Sequence, residues 1–169
     1  IRGYELFAAS QAKAPGLFIT GGLDEVKYVE ALRPLLTERV TLAGRFARSA
    51  MTPLYRGATI YINASLHEGS SNAVLEAISA GCPILLSDIS ENRDIGLANE
   101  FYFDPNTPES IAAALKRAAS EPRRFVVDMN SFLTWDAVAE RTLKIYRGLA
   151  PLKGPSAAVS PRLSRSVST

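Results

Sequence analysis

The chain has one cysteine, Cys82, one histidine, His67, and one tryptophan, Trp135. One cysteine excludes an internal disulfide, and Cys82 with His67 cannot complete a zinc site. Cys82 opens a strand pattern, where a small buried thiol is expected. Charge of one sign is also scarce: Lys and Arg exceed Asp and Glu by only two, giving a formal net charge of +2. That balance does not point to nucleic acid. Long apolar runs are missing too. "CPILL" and "YINASL" fall far short of a bilayer span, and no charged-then-apolar leader opens the chain, so a soluble, unexported protein is expected. No D-x-D pair is present, "DIS" at Asp88 being the nearest, and no metal is expected.

What is present is a core. Hydrophobic residues make up 47% of 169 positions, enough for one well-buried domain. Short apolar strands alternate with helical periods, which predicts an α/β unit with a Rossmann-like parallel sheet and helices on both faces. Strands are expected at 16–21, 39–44, 58–63, 83–88 and 100–104. Helices are expected at 3–13, 24–36, 49–56, 71–80, 107–120 and 135–149, with Gly81 as a C-terminal stop. Strands that are apolar almost throughout imply burial on both sheet faces. Trp135 and Tyr146 have the spacing of a helix packed on the sheet, which favours core over sugar stacking. The chain begins on the helix pattern "RGYELF", whereas a doubly wound sheet usually opens on a strand, so the first strand is expected to be missing. Residues 1–150 are read as the domain and 151–169, rich in Pro and Ser with three arginines, as a flexible basic tail.

The stretch "HEGSSNAVLEAISAG" carries the chemistry. A strand ending near Asn63 is followed by a loop with His67, Glu68 and Gly69, then by a helix opening at Ser71 or Asn72, both favourable caps. Such a helix start presents free backbone N–H groups and a positive dipole end, which suit phosphate. Gly69 lets a ligand approach the backbone, and the amides around Asn72, Ala73 and Val74 face an anion on the helix axis. Glu68 at the mouth and Glu76 along the helix would repel bare phosphate. Two carboxylates there imply a ligand that is part phosphate and part hydroxyl-rich, with Glu76 able to accept from paired hydroxyls. The competing readings are ordinary: Glu76 as a solvated helix residue, Glu68 as a loop charge beside the helix dipole, Ser70 and Ser71 as caps only, and His67 as a solvent-facing residue.

The E-x7-E spacing of Glu68 and Glu76 within "EGSSNAVLEAISAGCPILLSDISENRD", with "VTLAGR" upstream and "FLTWDAVAERTLKIYRGL" downstream, resembles the donor-site signature of retaining family 4 (group 1) glycosyltransferases. These are two-domain enzymes of the GT-B fold, and the resemblance covers about residues 2–149, the donor-binding C-terminal half. It implies that Glu68 meets the transferred sugar as the catalytic-site acid, that amides near Asn72 and Ala73, with Gly69 and Ser71, bind diphosphate, and that Glu76 holds ribose hydroxyls. Arg45, with Phe46, resembles the segment bordering the base. Arg2 before Gly3 resembles the basic residue of the family's "KG" step. The family often has "EGFG" where this chain has "EGSSN", a departure that leaves the sugar open.

No cofactor is implied. The donor would be a nucleotide-diphosphate sugar, of uridine or guanosine first. The acceptor, a glycan or lipid-linked glycan, would be met through an N-terminal domain absent here, in polysaccharide or lipopolysaccharide biosynthesis in the cytoplasm or, peripherally, at the cytoplasmic face of the membrane. The fragment alone should bind donor without turnover. The alternatives are a nucleotide-sugar epimerase of the same shape and a non-catalytic α/β binding module such as a receiver-like domain. The second expects clustered acids and a lysine at strand ends, which the sequence lacks.

Overall fold

A computed structural model describes residues 1–69, 71–132 and 135–149. The expected tail at 151–169, Ser70 and the side chain of Trp135 lie outside the described residues. The elements follow the predicted alternation. Helix α1 (Arg2–Ala9) precedes strand β1 (Leu17–Thr20), and helix α2 (Val26–Leu32) leads through a 3-10 turn at Arg33–Leu35 to β2 (Val40–Gly44). Then come α3 (Arg48–Gly57), β3 (Tyr61–Asn63), α4 (Asn72–Ser79), β4 (Ile84–Ser87), the short α5 (Ser90–Arg93), β5 (Tyr102–Phe103) and α6 (Pro108–Ser120).

Every strand pairing is parallel, as an alternation of strands and helices requires. The pairing divides into two sheets, β1-β2 and β3-β4-β5, rather than one. Sheet continuity needs strands with partners on both sides, and among the described strands only β4 has them. Its residues Ile84, Leu85, Leu86 and Ser87 are all fully buried, and both α4 and α6 pack on it. Here the two-sided apolar pattern describes the strand correctly. By contrast, β1 alternates half-buried and exposed residues, and α2 buries none of its side chains.

Local chemistry sets the boundaries. Pro34 converts the expected long helix at 24–36 into α2 followed by the 3-10 turn, because proline clashes with the preceding helical turn. Gly81 ends α4 in the left-handed conformation, φ +73°. Its N–H donates to Ile78 O and that of Cys82 to Ala77 O, the paired bonds of a Schellman stop. Cys82 is buried, and burial raises its thiol pKa above the ordinary value. Gly3 lets α1 lie close on α6: a Cβ there would fall 2.5 Å from that of Ile111.

The chain forms two units, Ile1–Met129 and a second from Asn130 onward. Within the second, helix α7 (Trp135–Leu149) occupies the predicted place, with Tyr146 66% exposed. No helix among the described residues is long and apolar enough to cross a membrane.

Candidate functional site

Strand β3 delivers the site. Its last residue, Asn63, is 6% exposed, an unusual place for an amide unless every polar atom finds a partner. Asn63 Nδ2 donates to Glu68 Oε1 at 3.0 Å and to Ser71 Oγ at 3.3 Å, while Asn63 Oδ1 accepts from the Ser65 N–H at 3.3 Å. The Ser65 hydroxyl donates to the same Glu68 oxygen at 2.6 Å. The Glu68 carboxylate is therefore held through Oε1 by two donors, and no donor among the described residues meets Oε2.

Ser71 is the N-cap of α4, as its residue type predicts, yet its hydroxyl makes no capping bond. Its carbonyl accepts from Val74 and Leu75, so the first turn closes behind it. The N–H groups of Asn72 and Ala73 meet no acceptor among the described residues, which leaves the helix start open to an anion. Beside it, Gly69 is exposed, and a Cβ built there would meet nothing within 4 Å among the described residues. Leu66 and His67 are exposed.

Glu76 sits on the same helix with its side chain 33% exposed and pairs with Arg48 of α3, Nη2 to Oε1 3.3 Å. Tyr55 and Tyr61 meet edge to face at 5.4 Å close by, and burial pushes the Tyr61 hydroxyl up to about 12, which keeps it protonated at neutral pH. Arg45 lies on the loop after β2 and pairs with Asp24, Nη2 to Oδ2 2.6 Å. Arg2, at the start of α1, borders a surface depression of about 530 Å³ with Leu35, Pro108 and Glu109. No hydrogen bond or ion pair among the described residues joins it to Glu68 or Glu76. The structure thus brings Glu68, Ser71 and the α4 amides together, sets Glu76 one turn on, and puts Arg45 and Arg2 on other elements.

Sequence reasoning did not single out Asn63, Ser65, Ser87, Asn92 or Arg48. Asn92 of α5 is 1% exposed and Ser87 of β4 is fully buried. Asn92 Nδ2 donates to Ser87 O and Oγ, each at 2.9 Å, and to Asn63 Oδ1 at 3.3 Å. The Tyr102 hydroxyl in turn donates to Asn92 O. No buried side-chain nitrogen or oxygen among the described residues lacks a partner. The available signal was a polar residue closing an apolar strand: Asn63 after "YI" and Ser87 after "ILL".

A strand end, a clamped acid and an open helix start now stand together, and comparison with known proteins gives them a family. The description "Glycosyl transferases group 1" matches residues 5–121. The chain belongs to that family. An uncharacterized glycosyltransferase of Methanocaldococcus jannaschii is 28% identical over 142 residues, covering 78% of this chain and 36% of that protein. The serotype-specific mannosyltransferase WbdA of Escherichia coli is 28% identical over 148 residues, covering 83% of this chain and 18% of its own length. The chain therefore spans well under half of these relatives. Among solved structures, sucrose-phosphate synthase of Thermosynechococcus elongatus superposes with a TM-score of 0.64 at 21% identity, over 88% of this chain and 42% of that one. At that identity the likeness establishes fold alone: mixed α/β with parallel sheets, as in glycosyltransferases of the GT-B type.

Proposed function

We propose that this group 1 glycosyltransferase chain is the donor-binding half of a retaining enzyme that transfers a sugar from a nucleotide-diphosphate sugar to a glycan or lipid-linked acceptor. The carrying observation is the juxtaposition of the Glu68 carboxylate, fixed through one oxygen, with the N–H groups of Asn72 and Ala73, which meet no acceptor among the described residues. Fixed N–H donors stabilise the charge that develops on a departing diphosphate at no cost in reorganisation. Glu68, whose Oε2 meets no donor among the described residues, accepts from a hydroxyl of the transferred sugar. Glu76, half a helix further on, accepts from the ribose hydroxyls in place of Arg48, and Arg45 borders the base. Arg2 is assigned to the diphosphate, on the strength of its place beside Gly3 at the start of α1. A uridine or guanosine donor and polysaccharide or lipopolysaccharide assembly at the cytoplasmic face of a membrane complete the proposal, which the similarity to WbdA, a mannosyltransferase, supports.

The test is titration calorimetry of this chain with UDP, GDP, UDP-glucose and GDP-mannose, repeated for Glu76→Gln. Loss of a charge-assisted hydrogen-bond acceptor should weaken both the bare diphosphate and its sugar by about 1–3 kcal/mol. Equal affinities for the two proteins would reject the ribose assignment, and no binding of any of the four would reject the donor-binding role.

A further inference from the structure

Two hydrogen-bond paths converge on Glu68 Oε1, and both begin at one side chain. In the first, Asn92 Nδ2 donates to Asn63 Oδ1 at 3.3 Å, and Asn63 Nδ2 donates to Glu68 at 3.0 Å. In the second, Asn92 Nδ2 donates to Ser87 Oγ at 2.9 Å, Ser87 donates to Ser65 O at 2.6 Å, and the Ser65 hydroxyl donates to Glu68 at 2.6 Å. Every bond in both paths points from Asn92 toward Glu68. Direction matters because an amide has distinct ends: with Asn92 Nδ2 and the Ser65 N–H both donating to Asn63 Oδ1, each at 3.3 Å, only Asn63 Nδ2 can face the carboxylate, and of the two donors Asn92 is the buried side chain. Likewise a donor on Ser87 Oγ leaves that hydroxyl's own proton for Ser65 O.

We propose that Asn92 is a positioning residue for Glu68, setting the amide orientation of Asn63 and the placement of Ser65 so that Glu68 Oε2 is presented to the ligand. Two further observations support this. Asn92 and Ser87 are almost wholly buried, so water does not substitute for the missing donor if either changes. Tyr102 and Ser87 anchor Asn92 on both sides, through its carbonyl and its amide. Function through sugar contact rests on the donor role proposed for Glu68, whereas orientation of Asn63 does not.

The experiment uses this chain with Asn92→Asp, which keeps shape and reverses the hydrogen-bonding sense, and Ser87→Ala, which removes the donor to Ser65 O and one acceptor of Asn92 Nδ2 while Ser87 O still accepts from it, and which carries the test should the first variant fail to fold. Glu68→Gln serves as the reference. Side-chain amide NMR reports contacts from the Asn63 Nδ2 protons to Ser71 and Glu68, and calorimetry gives affinities for UDP and GDP against UDP-glucose and GDP-mannose. The expected result is loss of the Asn63 contacts in Asn92→Asp, an about tenfold fall in sugar-donor affinity in both variants, and bare-diphosphate affinity within about twofold of the parent. A merely structural role would lower both ligands together. Retained Asn63 contacts in Asn92→Asp would overturn the proposal, as would an unchanged donor affinity in both variants where Glu68→Gln lowers it. If Glu68→Gln leaves the donor-to-diphosphate ratio unchanged, the sugar-facing role of Glu68 falls instead, and the Asn63 contacts alone decide whether Asn92 sets its amide.

Discussion

The β1-β2 half and the β3-β4-β5 half are built on the same local plan, parallel strands joined by helices, yet they differ in how they bury it. In the second half β4 is covered on both sides and its polar neighbours Asn63, Ser87 and Asn92 are sealed inside with every atom partnered. In the first, Phe18, Leu23, Val26 and Tyr28 are all exposed, and Arg45 pairs with Asp24 in water. A hydrogen bond is strong and directional where water is excluded and weak where it is not. The difference explains why the fixed acid lies after β3 and not after β1.

The largest effect should come from testing that contrast directly. Leu85→Ala removes a fully buried side chain from β4, and a cavity there should cost about 2–5 kcal/mol. Phe18→Ala removes a ring that is 49% exposed and touches Phe46 at 5.7 Å between centroids, so its cost should stay near 1 kcal/mol. Urea unfolding at pH 7 compares the two. Equal losses would mean that β1 carries as much of the core as β4.

The same contrast governs what could be read beforehand. Strand and helix positions were legible because apolar runs and the Gly81 stop act through neighbours in sequence, and α4, α6 and β4 fell within a residue or two of expectation. Division into two sheets was not legible, since pairing between strands depends on tertiary partners and not on any one strand's pattern. Glu68 and Glu76 could be singled out by spacing. Asn63, Ser87 and Asn92 could not: they are 29 residues apart at most, come from two strands and a four-residue helix, and meet only through space. Closing an apolar strand marks Asn63 and Ser87 as candidates for burial but not as partners of each other, and Asn92 carries no such mark.

A smaller effect should appear in acid. Arg93 donates to both oxygens of Asp88, at 2.6 and 2.8 Å, and also lies over the Tyr102 ring at 4.0 Å. The bond from Arg93 holds the Asp88 carboxyl below its ordinary value. With the folded pKa depressed, the pair's contribution is complete above the ordinary carboxylate value of about 4 and is lost as pH falls through the lower folded value. Because Asp88 is 44% exposed, solvent screens much of the interaction. Asp88→Asn should therefore be less stable than the parent at pH 6, with the gap narrowing as pH falls below the ordinary carboxylate value toward 2.5, in urea midpoints measured at each. A gap that persists unchanged at pH 2.5 would trace the loss to something other than the ion pair.

The smallest effect belongs to the exposed half. Asp24 and Arg45 come within 2.6 Å, shorter than the Arg48–Glu76 pair, but their side chains are 80% and 75% exposed. Short distance does not make a strong interaction in water, where the gain is offset by immobilising two long side chains and screened by salt. Gly22 lets the pair close over the loop after β1: a Cβ there would fall 2.6 Å from Asp24 Oδ2 and 2.8 Å from Arg45 Nη2, both ends of movable side chains. Asp24→Asn should cost no more than about 1 kcal/mol at low ionic strength, and the cost should vanish in roughly 1 M salt, where the screening length is about 3 Å. Urea unfolding of parent and variant at both ionic strengths measures it. A loss as large as that of Leu85→Ala, or one indifferent to salt, would show that the loops after β1 and β2 are organised by buried contacts after all, and the distinction between the two halves would have to be drawn elsewhere.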